Sequence, residues 1–100
     1  MQIDIDEKKR LKQGNFDFIN GEFSPDEAYQ LLESLFSKKI NFHELKSFSH
    51  QIRNGESDKD SLSRSQELRG CKKSIEELTE YARLHNKTMQ IQSTISIKLI

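Results

Sequence analysis

Three histidines, His43, His50 and His85, and one cysteine, Cys71, are the side chains best suited to hold a metal or act as a nucleophile. His43 and His50 stand seven residues apart on a stretch read as helix, so they share a face about 10 Å apart along the axis. Both could reach one ion only with a ligand between them, and that face offers Lys46 and Ser47. No Cys-x-x-Cys or His-x-x-x-His pair supplies the spacing of a zinc site. The three are read as surface or partly packed histidines, with no metal and no cofactor.

Cys71 falls in an apolar helical stripe, where cysteine behaves as a small hydrophobe; a nucleophile needs an electropositive, accessible setting. Lys72 and Lys73 adjoin it but point to other faces of a helix, so a core cysteine is expected. Glu76, Glu77 and Glu80 lie three and four residues from Lys72, Lys73 and Arg83, the offsets that lace a solvated helix face. Four glycines could hardly build a phosphate-binding loop. The chain is expected not to be an enzyme.

The densest basic cluster is Arg64, Arg69, Lys72 and Lys73, opposed within that span only by Glu67. With Lys8, Lys9, Arg10 and Lys12 it could form a face that touches phosphates. Sixteen basic and sixteen acidic residues balance over the whole chain, against the basic excess usual in a nucleic-acid binder. Nucleic-acid binding by a small dimeric regulator is therefore the alternative reading and not the first.

The elements that position these groups begin with a polar tail, residues 1–15, in which Ile3 and Ile5 alternate with acids and could make a short edge strand. A single α+β domain is expected over 16–100. Phe16 and Phe18 at strand spacing precede Asn20-Gly21, the dipeptide of a two-residue hairpin turn, and Phe23 follows. Ser24-Pro25-Asp26-Glu27 starts a helix with a cap, a first-turn proline and a capping box. Leu31, Leu32, Leu35 and Phe36 carry it to about Lys39. Asn41, with Glu44 three residues on, predicts the start of a second helix, giving a helical hairpin. Its stripe is Phe42, Leu45, Ser49 and Ile52 with Phe48 beside it, and Asn54-Gly55 closes it. After a polar linker, a long third helix is expected from about Asp60 to Asn86, with the stripe Leu68, Cys71, Ile75, Leu78, Ala82 and His85.

Residues 89–100 place Met89, Ile91, Ile95, Ile97 and Leu99 at alternate positions, with Gln90, Gln92, Thr94, Ser96 and Lys98 between them. This is a strand with one apolar face, and its backbone groups need partners. The expected fold is α+β: a two- or three-stranded antiparallel sheet from the N-terminal strand or hairpin and the C-terminal strand, packed on the helices. Such a sheet leaves an Ile-rich edge, which invites a second chain; Met89, Ile91, Ile95, Ile97 and Leu99 are the expected homodimer interface.

An apolar fraction of 33 % allows only a thin core, a further reason to associate. A lone cysteine suits a reducing compartment; the N-terminus has no apolar signal core, and no run reaches membrane-spanning length. The expectation is a cytoplasmic protein with no membrane partner and no evident small-molecule substrate. The segments Phe23–Ala28, Lys39–His43 and the Ile-rich terminal strand resemble a group of short, uncharacterised bacterial proteins of about this length. That resemblance implies a bacterial, soluble, stand-alone protein and carries no activity, cofactor or site. The function expected is a self-associating, non-enzymatic module that presents a helical face to another protein.

Overall fold

The computed structural model describes residues 11–100, so the expectations placed on Ile3, Ile5, Lys8, Lys9 and Arg10 lie outside the described residues. The element order is β1 (Gly14–Phe23), α1 (Pro25–Asn54), α2 (Lys59–Leu84) and β2 (Met89–Ile97), an α+β fold with one two-stranded antiparallel sheet. Contacts gather the chain into two compact units, Glu22–Met89, which is the helical hairpin, and Gln90–Ile100 with the residues up to Gly21, which is the strand pair.

In the strand unit β1 pairs with β2, as the terminal alternation requires. The pairing is prolonged past both strand ends, where the Leu99 amide donates to Gln13 Oε1 at 3.3 Å. Asn20-Gly21 does not turn: β1 runs straight through it, and neither residue has the positive φ that a two-residue hairpin demands. With the α1 cap already at Ser24, a second hairpin arm would have had two or three residues, whereas β2 offers a partner along the whole strand. Met89 and Ile91 are half-buried, while Ile95, Ile97 and Leu99 at the far end are 43 %, 49 % and 49 % exposed.

In the helical unit Ser24 caps α1. Its hydroxyl accepts from the Glu27 amide and the Glu27 carboxylate accepts from the Ser24 amide, both at 3.2 Å, with Pro25 in the first turn. These hydrogen bonds hold the Glu27 carboxyl below its usual pKa. Ser24→Ala should cost about 1 kcal/mol in a urea titration, and a loss under a few tenths would mean the box is dispensable. Asn41 caps nothing. One continuous helix of 30 residues replaces the two predicted. A cap contributes about 1 kcal/mol, whereas a break at residue 41 would forfeit several backbone hydrogen bonds with no Gly or Pro to demand it.

Gly55 ends α1 in the left-handed region (φ 75°), its amide donating to the Gln51 carbonyl at 2.8 Å. Asp58 starts α2, accepting from the Asp60 and Ser61 amides; these bonds hold its carboxyl below the usual range. Asn86, at φ 53°, terminates α2, and the Lys87 amide returns to the Ala82 carbonyl at 2.8 Å. A connection of four residues leaves the two packed helices antiparallel.

Candidate interaction surface

The two helices meet along a seam that mixes small and large residues. On α2 the inward positions are Ser61, Ser65, Leu68, Lys72, Ile75, Thr79 and Ala82, spaced four and three alternately, all buried or half-buried. On α1 the matching run is Phe36, Ile40, His43, Ser47 and His50. This is the heptad seam of a helical pair; Ser, Thr and Ala fill five of its twelve positions, four of them on α2. Ile40 and Leu68 are its large fully inward apolar residues, joined by Ala28 and Ala82. Three buried hydroxyls of α2 are satisfied locally: Thr79 Oγ1 donates to the Ile75 carbonyl at 2.7 Å, Ser65 Oγ to the Leu62 carbonyl at 2.9 Å and Ser61 Oγ to Asp58 Oδ2 at 3.3 Å.

That seam corrects the predicted stripe of the last helix. Leu68, Ile75 and Ala82 point inward, but Cys71, Leu78 and His85 lie on the neighbouring face and are exposed. The inward heptad runs one position later than Cys71 and Leu78, through Lys72 and Thr79. Cys71 is therefore a surface thiol and not a core residue.

The larger departure is on α1. Phe42, Leu45, Phe48 and Ile52, expected to pack in the hairpin, lie on the side of α1 facing away from the seam, each more than half exposed. At 100° per residue they sit opposite Ile40 and Ser47. The stripe continues toward the start of the helix as a shallow groove lined by Phe23, Glu27, Leu31, Ser34, Leu35 and Lys38. Helix α1 is thus apolar on two opposite sides, one of which nothing in the helical unit covers. A second stripe lies on α2, where Leu78, Tyr81 and Leu84 are also more than half exposed.

The charges around these stripes differ in sign. Lys38, Lys39, Lys46 and Arg53 belong to the outer half of α1, whose one acid in that span, Glu44, pairs with Arg69. Lys39 Nζ lies 4.9 Å from the Phe42 ring centroid. On α2, Glu76, Glu77 and Glu80 accompany the stripe, and the only base from Ser74 to Leu84 is Arg83, which pairs with Glu80 at 2.8 Å and Asp26 at 3.1 Å.

The predicted basic face is largely neutralised: Arg64 pairs with Glu67 at 2.9 Å, Arg69 with Glu44, and Lys72 with Glu33 at 3.5 Å. Lys73 makes no ion pair among the described residues. The hydrogen bond from Ser37, then the Lys72 ammonium, holds the Glu33 carboxyl below its usual pKa. His50 Nδ1–H donates to the Glu56 carbonyl at 2.7 Å, and His85 stacks on Tyr81 with ring centroids 4.1 Å apart.

His43 was legible only as one of three histidines, yet it is the polar group the seam treats worst. Both ring nitrogens are shielded from solvent and have no hydrogen-bond partner among the described residues, and the ring stands edge-on to Phe42 at 5.3 Å. Desolvation, then the positive charges of Lys39, Arg64 and Lys46, push its pKa below 6.5, with Asp58 opposing. The imidazole is therefore neutral in the fold and gains a proton more readily when unfolded. Its stabilising preference is intact above pH 6.5 and is lost as pH falls from there toward the lowered folded value. The chain should unfold at a lower urea concentration at pH 5.5 than at pH 7.5, and His43→Leu should flatten that difference. An unchanged pH dependence in the variant would place the sensitivity elsewhere.

Among the described residues no helix is long and apolar enough to cross a membrane. Comparison with protein families, with curated proteins and with solved structures finds no match to this chain.

Proposed function

We propose that this chain is a non-enzymatic, self-associating interaction module that works in the cytoplasm. The observation that carries the reading is the double-sided α1: its seam side is closed by α2, while Phe42, Leu45, Phe48 and Ile52 present a contiguous apolar stripe to solvent. Exposed patches of this kind mark interaction surfaces, and a two-helix hairpin with two large inward residues has much to gain from burying one. The shifted carboxylates add support, since Glu27, Glu33 and Asp58 owe their low pKa to caps and ion pairs that build the fold. The nucleic-acid alternative is weaker, because Arg64, Arg69 and Lys72 already have acidic partners.

Light scattering on the intact chain should return a mass of two or more chains. The variant Phe42→Ser/Leu45→Ser/Ile52→Ser should be a folded monomer with unchanged helical circular dichroism. Ile95→Lys/Ile97→Lys separates the two exposed surfaces: loss of mass in this variant alone would move the interface to the strand pair. A monomeric intact chain at every concentration would end the self-association reading.

A further inference from the structure

From the sign of the charges beside each stripe, we infer that the occupant of the α1 stripe is the α2 stripe of a second copy of this chain; the inference rests on the self-association reading above. The α1 surface joins Phe42, Leu45, Phe48 and Ile52 to Lys38, Lys46 and Arg53, none of which meets a carboxylate at ion-pair distance among the described residues. Lys38 and Lys46 stand four residues either side of Phe42, so they flank it on the helix surface. The α2 surface joins Leu78, Tyr81 and Leu84 to Glu77, which has no basic partner among the described residues, and to Glu80, shared with Arg83. Glu77 and Glu80 stand four residues before Tyr81 and Leu84, again flanking them.

Each copy therefore carries a basic–apolar and an acidic–apolar stripe on different helices. Two α1 stripes laid antiparallel on each other by a two-fold axis would set the basic flank of one copy, Lys46 and Arg53, along the same basic flank of the other, whereas α1 on α2 matches apolar to apolar and base to acid. The single counter-charge inside each stripe, Glu44 or Arg83, is already engaged within its own chain. Side chains of this size make each stripe on the order of 400 Å², so one contact removes about 800 Å². One such contact lies at the weak, transient end of the range, and a chain that uses both its stripes takes part in two of them.

The test is a charge swap read by light scattering and analytical ultracentrifugation. Lys38→Glu/Lys46→Glu/Arg53→Glu and, separately, Glu77→Lys/Glu80→Lys should each be monomeric where the intact chain is associated. An equimolar mixture of the two should regain the associated mass, because the reversed α1 then meets a reversed α2. All these positions are exposed, and helical circular dichroism checks the fold. The milder Lys38→Gln/Lys46→Gln/Arg53→Gln should raise the dissociation constant about tenfold. Association that survives both reversals, or variants that stay monomeric when mixed, overturns this contact while leaving self-association standing. A monomeric intact chain overturns both, and its co-sedimentation with phosphatidylserine vesicles would assign the basic stripe to a membrane surface instead.

Discussion

Ile40→Ala should lower the unfolding free energy by about 2–5 kcal/mol, measured as a shift of the urea midpoint at unchanged slope. Ile40 is 5 % exposed and shares with Leu68 the task of filling the hairpin seam. On the α1 side of the seam it stands between Phe36 and His43, and the cavity left behind closes only in part. Against a typical total of about 5–15 kcal/mol, that loss is a large share of the stability. Leu45→Ser makes the comparison sharp. It removes a residue equally prominent in the sequence, yet in dilute monomer it should move the midpoint by no more than about 0.5 kcal/mol, because Leu45 is 56 % exposed. A larger loss in Leu45→Ser than in Ile40→Ala would mean that the inward and outward sides of α1 have been exchanged.

Ala28→Leu should cost about 1–3 kcal/mol by the opposite route. Ala28 is fully buried at the start of α1, where a longer side chain has no exposed direction to take without moving the backbone. Helix propensity hardly enters, since Leu ranks just below Ala in a helix interior. The loss should appear as a lowered thermal midpoint with unchanged helical content. A midpoint that stays put would reveal unfilled space beside Ala28. Enlarging a seam residue should therefore harm folding more than truncating an outer one, and the outer stripe is left for association.

The ends of the elements were legible because each is a local chemical event. Ser24, Pro25 and Glu27 satisfy the first amides of α1 among themselves, and Gly55 and Asn86 adopt left-handed backbone that few other residues tolerate. The alternation from Met89 to Ile97 marked β2, and pairing it back to the first strand followed from the scarcity of other strand material. Asn20-Gly21 and Asn41 misled for one shared reason. Each is a permissive signal, which allows a turn or a cap when nothing better competes. The long pairing with β2 and the unbroken ladder of α1 competed and won.

The amino-acid sequence determined the α+β class, the strand at each end and most of the caps, all of which depend on residues close along the chain. It also carried the helical periods, but a period names a face without naming what covers it. Only the tertiary structure decided which of two neighbouring stripes on each helix turns inward. In the hairpin Ser47, Ser61, Ser65, Thr79 and Ala82 are buried, while Phe42, Phe48, Leu78 and Tyr81 are more than half exposed. Which stripe turns inward depends on how the two helix surfaces fit together, and here that fit buries several small, partly polar residues beside Ile40 and Leu68 and leaves several large apolar ones on the surface.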